Sequence, residues 1–401
     1  MVSGKFDYDL IVVGASFAGC VAGKIAAEKG LKTLIVERSS KPGEKIVSGT
    51  GLPILVFQDF PWVAEAPLER PWFGVVSHFL RDGKIEVTVK VERYDFPFCY
   101  GIYCQPFVEF LARKAVEAGA ELKTSTVAVD VIKEDGFIRG IITDSGEKFR
   151  SKIVVAADGV WSLIGIKAGI RKKFSPSDMM HGLWLDFEMP SEKDLDEALG
   201  GNYFITFWDL DGKLVPPPGI SGYFGIFPYK KSFHFGIGVS VSFLAEVGLN
   251  FEDIYRKFFE LDYWRKNFGK AKLRAKMWRP YPIYGGLDRE QKGMDKTYGN
   301  GILIAGDAAG FESSSQGDGI HTAMLSGKMA AEVAVEAVSK GDYSAEMLKK
   351  YEELWKSSII ARRLKDYGRK NLIQYAGNPV LMKRGILEIY SMPVFLGLDV
   401  L

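Results

Sequence analysis

The chain has 401 residues, of which 47% are hydrophobic, and this is enough to build a large core. Its formal net charge of +2 shows that no basic excess dominates the chain, which argues against nucleic acid as the main partner. Its 3 cysteines form no C-x-x-C pair, so we expect no iron–sulfur cluster or structural zinc, and its 4 histidines lack metal-ligand spacing. Without a signal peptide or an uncharged stretch of about 18 apolar residues, the expected location is cytoplasmic.

The first elements predict a strand, a glycine turn, a helix and a second strand. The apolar run Tyr8–Val13 leads into Gly14, and helical spacing extends over Phe17–Lys29. Gly30 is suited to follow the end of that helix. The second strand, Lys32–Glu37, ends in an acid. This order is typical of a dinucleotide-binding unit.

The turn carries the fingerprint G-x-G-x-x-G with Ser16 at its middle position. Gly14 permits the tight turn, Gly19 lets the helix approach the sheet, and the small Ser16 leaves room for a pyrophosphate at the helix N-terminus. Glu37 stands where an acid can bind a ribose hydroxyl. The alternative is a tight turn that binds no nucleotide.

The following region predicts mixed elements. Residues 38–98 contain many prolines and glycines and are hard to assign. A helix is expected over Phe107–Ala118, a strand over Glu121–Thr126, a meander of short strands over residues 127–150 and a buried strand over Ile153–Ala157.

Residues 172–285 are aromatic and alternate in a strand-like pattern. The expected strands include Tyr203–Trp208, Tyr223–Phe227 and Phe233–Val241. We predict an antiparallel sheet inserted into the nucleotide-binding domain, although most of these aromatic residues could simply form a core.

Besides the turn at Gly14, a second segment rich in Gly and Ala starts at Gly301. It leads through a buried strand to Gly306 and Asp307. Together with the turn at Gly14, it suggests one extended ligand held by both segments, and FAD fits this description best. We expect the Asp307 carboxylate to contact the ribityl hydroxyls, although it could also be a helix cap. The next helix, starting near Ile320, would direct its N-terminus at the flavin edge that is negative when reduced.

Two further aspartates have open roles. Asp158 and Gly159 follow a strand beside the proposed nucleotide site, and a plain turn is an equally good reading. Asp318 lies in the loop before Ile320 and is a candidate proton donor or water-positioning residue; its alternative role is that of a helix N-cap.

Five segments together resemble the FAD-dependent geranylgeranyl reductase superfamily: Gly14–Gly19, Glu37, Asp158-Gly159, Gly306-Asp307 and Gly317–Gly319. That superfamily also contains FixC-type relatives of the electron-transfer-flavoprotein:quinone oxidoreductases and lies near the aromatic hydroxylases. The resemblance implies an α/β fold with a Rossmann-type FAD-binding domain (residues 1–171 and 286–345). An inserted antiparallel substrate sheet would span residues 172–285, and a helical region would span residues 346–401.

A sheet motif carries the resemblance further. The run from Tyr223 to Pro228, followed by Gly236-Ile-Gly238, is similar to the reductases' Y-x-W-x-F-P…G-x-G. It implies a substrate cavity lined by Tyr223, Gly225, Phe227 and Pro228. The motif's Trp is Gly225 here, and an Arg common before the helix at Phe107 is replaced by Cys104.

The expected cofactor is non-covalent FAD. The fingerprint and the resemblance together predict the following FAD-binding residues: Gly14, Ser16, Phe17, Ala18, Gly19, Glu37, Arg38, Lys45, Gln105, Val127, Asp158, Gly159, Gly306, Asp307, Gly317, Gly319 and Ile320.

The resemblance implies reduction of C=C bonds in an isoprenoid chain, on a polar lipid or a quinone tail, by hydride transfer from the flavin N5. The electron donor would be a ferredoxin, a reduced nicotinamide or an electron-transfer flavoprotein. One alternative is electron transfer to a quinone with a separate ferredoxin-like subunit, and a weaker one is flavin-dependent hydroxylation.

The C-terminal part combines a basic segment, Lys349–Lys370, with the mainly apolar tail Asn371–Leu401. Such a pair can hold a protein against anionic lipid at the inner face of a membrane without spanning it. The alternative is that the tail packs over the flavin domain and the basic face is merely solvated.

Overall fold

A computed structural model describes residues 5–44, 49–92, 95–209, 214, 224–248, 250–282, 294–312 and 319–364. The strands are β1 (Tyr8–Val13), β2 (Thr33–Val36), β3 (Gly49–Pro53), β4 (Pro71–Trp72), β5 (Gly74–Arg81), β6 (Lys84–Glu92), β7 (Cys99–Tyr103), β8 (Glu121–Lys123), β9 (Ala128–Glu134), β10 (Phe137–Thr143), β11 (Lys148–Ala156), β12 (Met179–Glu188), β13 (Tyr203–Asp209), β14 (Phe224–Pro228), β15 (Ser232–Ser240), β16 (Lys272–Pro282), β17 (Tyr298–Gly299) and β18 (Ile302–Ile304). The α-helices are α1 (Phe17–Glu28), α2 (Leu55–Asp59), α3 (Cys104–Glu117), α4 (Leu163–Ala168), α5 (Glu192–Leu199), α6 (Val241–Val247), α7 (Phe251–Phe259), α8 (Asp262–Phe268), α9 (Ile320–Lys340), α10 (Ala345–Lys356) and α11 (Ile359–Leu364). Short 3-10 helices cover Pro61–Glu65, Pro176–Asp178 and Gly306–Ala309.

The first sheet has the strand order β17-β18-β11-β1-β2-β8, with β10 and β9 extending from β11. The β1 strand is central, and Leu10, Ile11 and Val12 are fully buried, as in parallel sheets whose two faces are both covered. The neighbours β2, β11, β18 and β8 all run parallel within this order. The predicted Rossmann-type fold is therefore confirmed.

The carboxyl ends of these parallel strands bring the predicted site groups to one edge of the sheet. Gly14 follows β1, Glu37 follows β2, Asp158 lies just after β11, and Asp307 lies just after β18. Hydrogen bonds continue the ladder past the strand ends, from the Ala157 amide to the Val13 carbonyl (2.9 Å) and from the Ala305 amide to the Ala156 carbonyl (3.0 Å). Ligands of open α/β sheets bind at this edge.

The second sheet has the order β16-β12-β15-β14-β13-β5-β6. Its pairs are antiparallel except for β13 and β5, which run parallel. Residues 74–92 therefore belong to this sheet, whereas the sequence analysis assigned them to the FAD-binding domain. Their partner β13 lies more than a hundred residues further along the chain, so no local pattern reveals the pairing. The other domain boundaries remain a prediction.

Helices α5 to α8 interrupt the region that was expected to be strand-like throughout. The buried residues of α7 are Phe251, Ile254, Tyr255 and Phe258, which lie at the i, i+3, i+4 and i+7 positions of one helical face. They pack against the face of the second sheet that carries Phe235. The helical spacing was thus present in the sequence but was masked by its aromatic composition.

A small third sheet, β3-β7-β4, lies between the two larger ones. The helix after β7 begins at Cys104, three residues before the predicted start at Phe107. At the other end of the chain, α10 packs on the first sheet, where the Tyr351 hydroxyl donates to the Ile304 carbonyl (2.9 Å). Among the described residues, no helix is both long and apolar enough to cross a membrane.

Candidate functional site

The turn after β1 requires glycine for a steric reason. Gly14 has a φ of +101°, and a Cβ at this position would collide with the Ala157 carbonyl oxygen. Its amide donates to the Val36 carbonyl (2.8 Å), which fixes the turn against the neighbouring strand. At Gly19, a Cβ would lie 3.2 Å from Val12 Cγ1 and would collide with the turn itself. Both glycines therefore have the roles that the fingerprint predicts.

The N-terminus of α1 is suited to bind an anion. Ser16 is the N-cap in extended conformation, but its side chain makes no capping hydrogen bond. The first-turn amide groups of Phe17, Ala18 and Gly19 have no intrahelical acceptor, because the first turn of any helix lacks one. Together with the helix dipole, these groups can hold a pyrophosphate.

Glu37 is held in place by backbone amides. Its Oε2 accepts from the Ala15 amide (2.9 Å) and its Oε1 accepts from the Ser39 amide (2.9 Å). Each carboxylate oxygen has two acceptor positions, so each can also accept from a ribose hydroxyl. The turn and the acid are thus linked directly, which the sequence spacing alone did not predict.

Asp307 offers a carboxylate that receives no hydrogen bond from the residues that the structure describes. The preceding Gly306 has a φ of +64° and its amide donates to Ser326 Oγ (2.9 Å), which directs the chain away from β18. No residue of the described ranges donates a hydrogen bond to the Asp307 side chain. Burial raises the pKa of Asp307, while the positive charges of Arg279 and Arg171 lower it in part. The carboxylate can therefore accept from the hydroxyls of a bound ligand.

The turn at Gly14–Gly19 and the segment at Gly306 contact each other, as binding of one extended ligand by both requires. A Cβ at Gly306 would lie 3.0 Å from the Ala18 Cβ, and a Cβ at Gly327 of α9 would collide with the Ala18 carbonyl oxygen. Small residues thus let α1 and α9 pack closely, and Asp307 lies beside the α1 N-terminus. The α9 helix begins at Ile320, as predicted. Its N-cap residue is Gly319, which has no side chain to cap the helix amides.

The Asp158 side chain is hydrogen-bonded to residues at the start of α4. Its carboxylate accepts from Ser162 Oγ (2.7 Å) and from the Ile164 amide (2.9 Å), and these contacts organise the start of α4. Burial raises the pKa of Asp158. Gly159 has a φ of +78° and continues the turn. A contact between the Asp158 side chain and the cofactor remains a prediction; the observed contacts agree with the structural alternative.

The substrate-cavity motif lies on β14, where Gly225 pairs with Gly236 of β15. A Cβ at Gly236 would lie 2.6 Å from the indole of Trp184, which comes from β12. The Trp184 ring also contacts Phe227 at 5.1 Å between centroids. Sequence analysis missed Trp184; its signal is the bare G-x-G of β15, which leaves space for a large ring.

Some of the remaining predicted residues lie within the described ranges and others do not. Lys45, Tyr223, Gly317 and Asp318 lie outside the described residues. Arg38, Gln105 and Val127 are described, but their surroundings do not single them out as binding residues. Arg38 is exposed. Gln105 Nε2 donates to Glu109 Oε1 (3.2 Å), and the Val127 carbonyl accepts from the Asp144 amide (2.9 Å). Pro228 ends β14, and its carbonyl accepts from Trp72 Nε1 (3.0 Å). Within the described ranges, no cluster of three or more His, Cys, Asp or Glu could hold a metal ion.

Comparison with known proteins identifies relatives along most of the chain. The model of the FAD dependent oxidoreductase family matches residues 9–163. A digeranylgeranylglycerophospholipid reductase of Methanocaldococcus jannaschii is 32% identical over 352 residues, which cover 87% of this chain and 82% of the relative. A second reductase of that name, from Methanococcoides burtonii, is 31% identical and covers 88% of this chain and 81% of its own.

Solved structures share the fold. A geranylgeranyl bacteriochlorophyll reductase-like protein from Thermoplasma acidophilum superposes with a TM-score of 0.76 at 23% identity, covering 99% of both chains. A flavin-dependent brominase superposes with a TM-score of 0.70 at 18% identity, covering 96% of this chain and 90% of its own. At these identities, the similarity shows the fold alone.

Replacing Gly14 with Val should abolish FAD binding, because the side chain would collide with the Ala157 carbonyl at the pyrophosphate turn. The matched control is Gly30→Val: Gly30 also has a positive φ, of +87°, but has open space around it. FAD titration of both apoproteins, with circular dichroism as the check on folding, measures the difference. Equal FAD affinity in the two variants would contradict the assignment of the turn.

Replacing Asp307 with Asn should weaken FAD binding about tenfold, the scale of a charge-assisted hydrogen bond. The same change should stabilise the apoprotein at neutral pH. Because burial raises the pKa of Asp307 above its ordinary value of 3.8, the folded chain binds this proton more tightly than the unfolded chain. The ionised carboxylate therefore destabilises the fold as the pH rises through the raised pKa.

The stability difference should vanish below the ordinary pKa, where both states are protonated. Denaturant midpoints of the apoproteins across this pH range are the measurement, and Asp135→Asn in an exposed turn is the control. A less stable Asp307→Asn apoprotein at neutral pH would show that the carboxylate has a structural partner.

Proposed function

This chain belongs to the digeranylgeranylglycerophospholipid reductase family, and on that premise we propose that it hydrogenates C=C bonds of isoprenoid chains carried by a polar lipid. It is an FAD-dependent oxidoreductase. The observation that supports the proposal best is that the second sheet approaches the edge that carries Asp307. Arg279, on that sheet, is one of two positive charges that lower the pKa of Asp307 against the effect of burial. His234 Nδ1, also on the second sheet, accepts from the Gly49 amide of the third sheet (2.8 Å).

The residues present fit FAD. Backbone amides at Ser16–Gly19 can bind its pyrophosphate, Glu37 can accept from its ribose, and Asp307 can accept from its ribityl chain. The sequence gives no reason to expect a covalent link from a His or Cys to the flavin, so the proposed attachment is non-covalent. The chemistry that the cofactor supplies when bound is hydride donation.

An isolated alkene offers no oxygen that a protein could stabilise electrostatically. Catalysis then depends on positioning and on exclusion of water. Trp184, Phe227 and the neighbouring Phe204 form an apolar wall, with 4.6 Å between the centroids of the two Phe rings. The bare glycines behind Trp184 let its ring lie flat on the sheet, which suits a wall along a hydrocarbon chain.

The proton for the second alkene carbon needs a donor, and the proposed candidate is Asp318. This residue lies outside the described residues, and the N-cap position of α9 falls on Gly319. The proposed source of electrons is a ferredoxin, a reduced nicotinamide or an electron-transfer flavoprotein.

The chemically reduced holoenzyme should add hydrogen to the alkenes of a geranylgeranyl glycerophospholipid, giving a product heavier by one hydrogen molecule for each reduced bond. Mass spectrometry measures this product. Asp318→Asn should lower turnover strongly at unchanged FAD content, whereas Asp135→Asn should not. Wild-type turnover in Asp318→Asn would exclude its proton role.

An unchanged lipid would contradict the proposed function itself. If that result were accompanied by fast reoxidation of the holoenzyme by a soluble quinone, the alternative of electron transfer to quinone would be favoured. Oxygen transfer to an aromatic substrate would favour hydroxylation instead.

Contact with a membrane surface is a further part of the proposal, because such lipids remain in a bilayer. The described part of the basic segment supports it weakly. Lys350 is paired with Glu336, Lys356 Nζ lies 2.7 Å from Glu352, and Arg363 is only 6% exposed. Arg362 is exposed, and the rest of the positive charge would come from residues 365–401.

Lys365→Glu combined with Lys370→Glu should weaken co-sedimentation with anionic liposomes at low salt, because each basic residue near the surface contributes about 1 kcal/mol. The matched control is Lys133→Glu combined with Lys148→Glu, at two exposed sites on the first sheet. Sedimentation of the full chain at low and high salt is the measurement. Binding that both variants retain equally would remove the tail from the proposal.

A further inference from the structure

Tyr229 carries a buried hydroxyl group without a hydrogen-bond partner among the described residues. Its side chain is completely buried, and burying a hydroxyl without a partner costs free energy. The chain satisfies a comparable phenol elsewhere: the Tyr255 hydroxyl accepts from the Ile237 amide (3.1 Å) and donates to the Leu183 carbonyl. The Tyr229 hydroxyl is one of several buried polar atoms without a partner in the described part of the chain, and a ligand that accepts a hydrogen bond would satisfy it.

The position of the Tyr229 ring is fixed from all sides. A Cβ at Gly49 would collide with its hydroxyl, and a Cβ at Gly101 would lie 3.0 Å from its Cδ1, so two bare strand positions make room for it. Arg70 Nε donates to the Tyr229 carbonyl (2.7 Å), and the Tyr229 amide donates to the Ser232 carbonyl (2.8 Å). A ring held this firmly cannot turn its hydroxyl toward solvent.

The hydroxyl lies against β3, which pairs with the strand that leads into α3, where Gln105 is a predicted FAD-binding residue. Gly49, which it touches, pairs with Tyr103, the residue before α3. The positive charge of Arg279 acts on both Tyr229 and Asp307, so the phenol and the predicted ribityl carboxylate both lie within reach of that guanidinium. Burial raises the pKa of Tyr229 well above its usual range, so the hydroxyl keeps its proton and acts as a donor.

We propose that the Tyr229 hydroxyl donates a hydrogen bond to the flavin ring of FAD. The hydrocarbon part of an isoprenoid substrate has no acceptor, whereas the flavin ring has carbonyl oxygens and ring nitrogens. Of the two ligands, only FAD can satisfy this donor in an apolar interior. The bond strengthens when the ring gains negative charge on reduction. This inference rests on the FAD site of the proposed function and makes no use of the lipid.

The test compares Tyr229→Phe with the wild type and with the control Tyr255→Phe. FAD titration should give a Kd about tenfold higher for Tyr229→Phe, the scale of one lost hydrogen bond. If reduced FAD loses a further tenfold relative to oxidised FAD, the two-electron midpoint potential falls by about 30 mV. Tyr255→Phe should leave both values unchanged.

Denaturation of the apoproteins provides the second readout. The unfolding midpoint of Tyr229→Phe should equal or exceed that of the wild type, because the lost hydroxyl has no partner in the apoprotein. Tyr255→Phe should unfold earlier, since it loses two hydrogen bonds.

Wild-type FAD affinity and potential in Tyr229→Phe would overturn the proposal. A loss of apoprotein stability as large as that of Tyr255→Phe would also overturn it, because it would reveal a partner within the chain. Neither measurement includes lipid, so failure to hydrogenate a lipid would count against the proposed function alone.

Discussion

The close approach of two nearly bare backbones is the constraint on which this site depends. Ala18 on α1 faces Gly306 and Gly327, and a Cβ at Gly327 would collide with the Ala18 carbonyl. Larger side chains at these positions would separate α1 from α9 and from the loop after β18. The contact brings the anion-binding end of α1 and the carboxylate of Asp307 to one edge, so that one extended ligand can reach both.

The three carboxylates at this edge differ because their donors differ. Glu37 is oriented by two backbone amides and keeps free acceptor positions. Asp158 is committed to Ser162 and α4. Asp307 receives no hydrogen bond from the described residues, and burial raises its pKa. A carboxylate left in that state destabilises the apoprotein, and a ligand that donates hydroxyl groups to it recovers this free energy on binding.

In the second sheet, glycines lie next to large aromatic rings. Glycines at positions 225 and 236 leave a flat surface, and Trp184 from the neighbouring strand lies across it. Tyr229 follows the same strand and occupies a space left by Gly49 and Gly101. In both places the absence of a Cβ determines where an aromatic ring can lie.

The sequence by itself determined β1, α1 and the FAD fingerprint, because periodicity and turn chemistry are properties of neighbouring residues. It also placed the start of α9 at Ile320, since the apolar helical pattern begins there. Only the tertiary structure decided that residues 74–92 join the second sheet, because strand pairing between distant segments leaves no local pattern. The same holds for Trp184 beside Gly236 and for the donors to Asp158. These depend on which surfaces meet when separate elements pack, and short-range propensity does not encode that.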